Sequence, residues 1–408
     1  MSNGLPSTKS PDDGSKSEIQ LEIDRLAERL VEVSHAIHDH PELNYEEHFA
    51  HDTLVQVVRD LAPNAIVTPQ AYGVPTAFEA TFGDHGPEVL VLLEYDALPG
   101  IGHGCGHNVI AAAGLGAGLA AGRLAQELGG RLRILGTPAE EGGGGKIAMA
   151  RNGAFRSGEA ALMIHPADAD LARMSSIAVH TMDVSYEGRA AHAAAAPWEG
   201  RNALDAAVLG YMNVAALRQH IKPTERVHGI FTEAGEKPNI VPRRAGATWY
   251  VRSATLSSLQ PLKDRVMACL EGAAHACGCS MTATWDDHAY ADVRDNTNLV
   301  NSFAVNMGHL GRTVEDPDVI GRRVVGSTDM GNVSYLMPSI HPMIKIAPDG
   351  VPIHTEEFAA CARSASADEA VLVGAKALAM TVSDIWADVA LRDRARREFS
   401  LIEPIEVL

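Results

Sequence analysis

The chain has 408 residues, of which 46% are hydrophobic and 21% charged, a composition that suits a globular protein with more than one core. Its formal net charge of −18 sets its surface against phosphate backbones and anionic lipid, so nucleic acid and membrane are not expected partners. The five cysteines, Cys105, Cys269, Cys277, Cys279 and Cys361, are few and irregularly spaced. They make no disulfide framework and point to a reducing, cytoplasmic setting.

Residues 1–17 are rich in Ser, Pro, Gly and charge and read as a disordered tail, without the apolar stretch of a signal peptide. Ile19, Ile23, Leu26, Leu30, Val33 and Ile37 then recur every three or four residues, which predicts an amphipathic helix that Pro41 ends. A second helix is expected from about residue 45 to 61. Strand-like segments follow at 76–82 and 89–93. The second of these is continuously apolar, as in a strand buried on both faces of a mostly parallel sheet. Residues 109–128 predict a helix, 131–135 a strand, 144–152 a short helix and 160–164 a third buried strand, the alternation of an α/β fold. The run Gly114-Leu-Gly-Ala-Gly118 reads as close helix packing rather than a nucleotide loop. No apolar run looks long and charge-free enough to span a bilayer.

From about residue 175 the pattern changes. Residues 177–186 alternate, 203–220 and 259–276 are helical, and 227–233, 245–252 and 281–285 read as strands. This predicts an α+β domain, residues 176–291, inserted into an α/β domain made of 18–175 and 292–408. A long helix from Ser366 closes the chain.

The polar residues that carry chemistry sit just after the buried strands: Asp96 after 89–93, Glu140 and Glu141 after 131–135, His165 after 160–164. Ligands of open α/β sheets bind outside the carboxyl ends of the strands, so three successive strand ends deliver these groups to one edge. Cys105-Gly106-His107 adds a thiolate and an imidazole in a glycine-rich loop. Sulfur, imidazole and carboxylate together suit a transition metal. On an extended segment the two adjacent carboxylates point different ways, so one can hold a cation while the other moves a proton. The bland alternatives are a buried cysteine in a glycine turn and an acidic helix start before Gly142. A serine-hydrolase elbow and a zinc-deaminase signature are absent, and Lys146 after Gly142–Gly145 lacks the Ser or Thr of a phosphate loop.

The runs His40-Pro-Glu-Leu43, 94–108 with its Cys105-Gly-His107-Asn108, Thr137-Pro-Ala-Glu-Glu141, Gly188-Arg-Ala-Ala-His-Ala193, Pro238-Asn-Ile-Val-Pro242 and Pro352-Ile-His-Thr355 resemble the metallopeptidase family of aminoacylases, carboxypeptidase G and auxin-conjugate amidohydrolases. Asn108 and the Ala-Pro-Trp-Glu-Gly-Arg-Asn run at 196–202 look most like its p-aminobenzoyl-glutamate hydrolase branch. The resemblance implies a metal-dependent amidohydrolase acting on N-acyl amino acids, aminobenzoyl-glutamate-like conjugates or dipeptides. It implies metal ligands at Cys105, His107, Glu141, His165 and His354, holding two Zn or Mn ions, with Cys105 in the bridging place. Glu140 matches the general base, and Asp96 the carboxylate that orients a ligand histidine. His192 matches the histidine that stabilises the tetrahedral intermediate. Asn239 and Arg252 match groups that hold the substrate, Arg252 as a clamp on its carboxylate.

The implied fold is a mostly parallel-sheet catalytic domain with an inserted ferredoxin-like lid through which two copies dimerise. Glu94 departs from the family pattern by standing where other branches place a ligand His or Asp, and His103, Asp329 and His341 take no assigned role. A non-catalytic binding protein that keeps the fold and a metal-dependent deaminase are the rival readings. A binder has no need of Glu140, and release of ammonia would mark the deaminase.

Overall fold

The computed structural model describes residues 13–321 and 325–402. Contacts divide the chain into two compact units, one running up to Ser175 and resuming at Val293, the other comprising Ser176–Asp292.

The first unit is built on a six-stranded sheet in the order Ile66–Pro69, Phe78–Phe82, Arg131–Gly136, Glu88–Leu93, Ala160–Leu162, Ser339–Ile340. Its four inner and far-edge strands, from Arg131–Gly136 to Ser339–Ile340, are mutually parallel, and the first two are antiparallel. Every residue of Glu88–Leu93 is buried, and the strand divides its side chains between two cores. Val89, Val91 and Leu93 enter the core shared with helices Asp13–Asp39, His107–Leu128 and Ala365–Ala387. Leu90 and Leu92 enter the core with Met149, Phe155, Met330 and Val333 on the opposite face. Sandwiching between helical layers is why the strand reads as a continuous apolar run, and it confirms the expected mostly parallel α/β sheet.

Glycine lets the helix His107–Leu128 lie against the sheet. A Cβ on Gly114 would come within 2.6 Å of Leu93 Cδ2, and one on Gly122 within 2.6 Å of the Phe82 ring. Two helices, His107–Leu128 and Ala365–Ala387, are long and apolar enough to cross a membrane, contrary to the expectation from sequence. Both are largely buried in the core, which accounts for their composition.

The second unit has an antiparallel sheet in the order Ser280–Trp285, Ala178–Glu187, Arg244–Ser253, Arg226–Glu233. Met182, Val184, Tyr186, Ala247, Trp249 and Val251 alternate onto one face, where helices Ala203–Leu217 and Leu256–Cys277 cover them. Chain order β-α-β-β-α-β with this strand order is the ferredoxin-like arrangement.

Three local expectations change. The tail expected over 1–17 is helical from Asp13 onward, because Lys16 is pinned by Asp384 at 2.7 Å and by the Asn306 side chain at 2.8 Å; residues 1–12 lie outside the described residues. The strand expected over 160–164 ends at Leu162, and His165–Ala167 starts a new parallel pairing with Met343–Lys345. The edge strand Ile66–Pro69, short and mostly exposed, had no alternating pattern to betray it.

Candidate metal centre

Three parallel strands end at the same edge and hand their following residues to one site. After Glu88–Leu93 come Glu94 and Asp96, after Arg131–Gly136 the turn that carries Glu140 and Glu141, and after Ala160–Leu162 the residue His165. Gly106, in a left-handed conformation, opens the helix whose first residue is His107, and Cys105 lies just before it. A Cβ on Gly106 would stand 2.9 Å from Pro166, so only glycine lets this turn approach the His165 segment. His354 arrives from a distant loop, whose backbone N–H donates to the Gly104 carbonyl at 2.9 Å.

The carboxylate turn is held from outside. Ala139 takes φ +58, a left-handed value rare for a residue with a Cβ, and its N–H donates to the buried Glu47 carboxylate at 2.8 Å. Asn44 donates to the Glu141 carbonyl at 2.9 Å, and the Tyr45 hydroxyl to the Gly143 carbonyl at 2.6 Å. His354 is also left-handed, at φ +65. Backbone strain of this kind gathers at functional sites, where the surroundings enforce it. Glu42, in the His-Pro-Glu-Leu run, accepts from the N–H groups of Phe49 and Ala50 and so starts the helix behind these supports.

The side chains converge. His354 Nε2 lies 3.0 Å from Cys105 Sγ and 3.7 Å from Glu141 Oε1. His107 Nε2 lies 3.8 Å from Glu141 Oε1 and 3.9 Å from Glu140 Oε2. Cys105, His107 and His165 form one triad of donor atoms within 4.8 Å of one another, and Cys105, Glu141 and His354 a second. Cys105 belongs to both. Donors on one tetrahedral ion at about 2.0–2.3 Å stand roughly 3.3–3.8 Å apart, so these spacings fit a shared cation.

The unused hydrogen-bonding capacity fits as well. Among the described residues, His107 Nε2 and Glu141 Oε1 are buried without a hydrogen-bond partner. Buried polar atoms are normally satisfied, and a cation would satisfy these. The opposite nitrogens are committed: His107 Nδ1 pairs with Asp96 at 3.1 Å, and His165 Nδ1 donates to the Pro166 carbonyl at 2.7 Å, which leaves both Nε2 atoms to the centre. Asp96 also uses its other oxygen to accept the Glu141 N–H at 2.9 Å, fixing two ligand positions at once.

The electrostatics point the same way. Burial and the charges of Glu94 and Glu141 push the Glu140 carboxyl well above the usual range. Burial and the Glu141 charge push the Cys105 thiol up. Burial and His107 take His165 down to about 4, so it is a neutral imidazole ready to ligate. For Asp96, burial alone would raise the pKa, but His107 and the Glu141 N–H outweigh it and hold the group low. The cluster carries more acid than it can ionise on its own, the state that a divalent ion relieves.

Lys146 is a site residue that sequence reasoning passed over. Its ammonium is fully buried between Glu94 and Asp329, 2.7 Å from the latter. The only hint was a lysine following four glycines directly after the paired glutamates. His341, fully buried, sets its ring edge-on to His165 with centroids 5.5 Å apart, and His103 bonds the Ile37 carbonyl at 3.1 Å.

His192, Asn239 and Arg252 belong to the second unit. Three motif runs are stitched together there: Arg189 pairs with Arg201, Val241 N–H donates to the Ala191 carbonyl at 2.9 Å, and Ala193 N–H to the Asn239 carbonyl at 3.0 Å. His192 and Asn239 are therefore neighbours. His192 Nδ1 accepts from the N–H groups of Ala194 and Ala195 at 3.2 and 3.1 Å, so the exposed ring carries its proton on Nε2. Arg252 lies on strand Arg244–Ser253, its guanidinium 5.6 Å from the Tyr250 ring centroid.

Comparison with known proteins agrees with this chemistry. The chain is 41% identical to the Xaa-Arg dipeptidase of Mus musculus, over 95% of this chain and 94% of that protein. It is 29% identical to one of the subunits of the p-aminobenzoyl-glutamate hydrolase of Escherichia coli strain K12, over 93% of each. An aminobenzoyl-glutamate utilization protein from Klebsiella pneumoniae shares the fold with a TM-score of 0.70 at 19% identity, over 90% of this chain and 99% of that one. The resemblance drawn from the motifs is borne out: a model of peptidase family M20/M25/M40 matches residues 91–384, and the chain belongs to that family and is an amidohydrolase.

Proposed function

We propose that the protein hydrolyses the amide bond of a small substrate that ends in a free carboxylate, with dipeptides ending in arginine as the leading class. The observation that carries this reading is the gathering of Cys105, His107, Glu141, His165 and His354 into two triads of donor atoms that share Cys105, with the Glu140 carboxylate 3.9 Å from His107. The arginine preference rests on the 41% identity to an Xaa-Arg dipeptidase. N-acyl amino acids and aminobenzoyl-glutamate conjugates are the neighbouring classes, the last supported by the Escherichia coli relative.

Two Zn or Mn ions per chain are proposed, because two ligand triads share Cys105. Bound there, such ions would polarise the scissile carbonyl and bring the pKa of a water down to about 7. The chain's own groups do the rest. Glu140 takes the proton of the attacking water and hands it to the leaving amine. His192, with its proton on Nε2, donates to the developing oxyanion. Asn239 and Arg252 hold the substrate, Arg252 by its carboxylate. His354, whose side chain is 52% exposed, is the ligand on the open side of the centre.

Residues 176–291 are proposed to serve as lid and dimerisation domain. Val208, Leu209 and Met212 present an exposed apolar strip on helix Ala203–Leu217, which suits a contact between two copies; sedimentation as a monomer would contradict it. The five unpaired cysteines fit a cytoplasmic enzyme, checked by fractionating cells of the source.

The test is Glu140→Ala assayed for released amine on Xaa-Arg dipeptides, other dipeptides, N-acyl amino acids and aminobenzoyl-glutamate. Turnover is expected to fall by about 10²–10⁴-fold while the metal content is unchanged. Near-normal turnover in that variant would remove Glu140 from the mechanism, and ammonia as the released product would favour a deaminase.

A further inference from the structure

Beside Glu140 lies a second buried ionic cluster that the reaction does not use. The ammonium of Lys146 donates to Glu94 Oε1 and to Asp329 Oδ1, the latter at 2.7 Å. The backbone N–H of the same lysine donates to Asp329 Oδ2 at 2.9 Å, so Asp329 grips Lys146 by main chain and side chain together. All three side chains are completely buried. An ammonium stripped of water persists only where carboxylates replace its hydration, and here two of them do.

The glycine run exists to place this lysine. A Cβ on Gly145 would fall 1.7 Å from the Pro138 carbonyl oxygen, and one on Gly143 would fall 2.6 Å from Ala139 Cβ. Gly142 and Gly144 take φ +111 and +64. The loop therefore folds back over the Ala139 turn in a way that side chains would block, and delivers Lys146 to the carboxylates next to Glu140.

Without the lysine those carboxylates would themselves be a cation site. Oxygens of Glu94, Glu140 and Asp329 lie within 4.8 Å of one another. Glu94 Oε2, fully buried, has no hydrogen-bond partner and faces His107 Nε2 at 3.7 Å. A carboxylate so near a ligand histidine would join the coordination unless something else held it.

We propose that Lys146 is a built-in counter-cation of the catalytic centre: it occupies the Glu94–Asp329 cradle in place of a further metal ion and keeps Glu94 out of the coordination. This rests on the metal centre proposed above. It also gives a physical reason why Glu94, standing at a position where related chains place a ligand, does not act as one.

The test counts metal rather than activity. The purified chain is saturated with Mn²⁺ or Zn²⁺, dialysed to equilibrium and analysed for ions per chain. Lys146→Met keeps the apolar stem and removes the charge; it should bind one more ion per chain than the parent, and Asp329→Asn added to it should remove that ion again. Equal counts in the parent and a folded Lys146→Met overturn the proposal. A second arm, which holds even where Lys146→Met does not fold, is Glu94→Gln. Its ion count should match the parent and its metal affinity should lie within about threefold, while loss of an ion or a tenfold weaker affinity would make Glu94 a ligand and refute the proposal. A parent chain that binds no ion overturns the metal centre itself, a failure distinguishable from either of these.

Discussion

Asp96 divides its two oxygens between the ring of His107 and the main chain of Glu141, at 3.1 and 2.9 Å. Replacing it with Asn leaves one acceptor where two are needed, since the amide nitrogen can only donate. Asp96→Asn should weaken metal binding by about 10–100-fold, measured by competition with a chromophoric chelator. Unchanged affinity would mean that the two ligands are oriented by something else. Glu47 is a second supporting carboxylate, further from the centre, and its charge is disfavoured. Burial and the nearby Asp96 charge push it up to about 7, although it accepts hydrogen bonds from Thr76 and the Ala139 N–H. A carboxyl whose pKa is higher folded than unfolded binds its proton more tightly in the native state. Its contribution to stability is therefore complete below about pH 4.5 and is lost as the pH rises toward 7. Glu47→Gln should flatten the stability profile across that window by up to about 1.4 kcal/mol per pH unit, read from urea titrations at several pH values. An unaltered profile would remove Glu47 as the titrating group.

At the scale of single elements, glycines on two different helices behave oppositely. On helix His107–Leu128, a methyl at Gly122 would press to 2.6 Å against the Phe82 ring, which is rigid and buried. Overpacking of that kind costs about 1–3 kcal/mol, more than the roughly 1 kcal/mol that alanine gains over glycine in a helix. On helix Leu256–Cys277, Gly272 has nothing within 4 Å of its added Cβ. Gly122→Ala should lower the stability of the first unit, and Gly272→Ala should raise that of the second by about 0.5–1 kcal/mol, both followed by chemical denaturation. The same signs at both sites would contradict this packing. These elements were legible in the sequence because their periodicity is set by burial. The run at 89–93 is apolar throughout because both faces are covered, and the first helix shows its stripe at Ile19, Ile23, Leu26 and Leu30. What escaped was decided by contacts distant in sequence. The Lys16–Asp384 pair starts the first helix early, and the Met343–Lys345 pairing cuts the third strand at Leu162.

On the scale of the whole chain, the centre gathers residues from position 94 to position 354, yet most of it could be read in advance. The reason is topological: parallel strands end on one edge, so whatever follows them in sequence meets in space. His354 had no strand to announce it and came only from the family resemblance. Lys146 was missed because its partners Glu94 and Asp329 are far from it along the chain and its burial leaves no pattern. A site drawn from such distant segments also couples cation binding to folding, since an unfolded chain holds no such cluster. The most direct measurement is anomalous diffraction from crystals of the protein grown with Mn²⁺ or Zn²⁺, collected on both sides of the metal edge. Anomalous peaks are expected within coordination distance of Cys105 Sγ, His107 Nε2, Glu141, His165 Nε2 and His354 Nε2, with Lys146 Nζ still between Glu94 and Asp329. Ions bound elsewhere, or a metal-saturated crystal with no peak among these five residues, would contradict the metal centre.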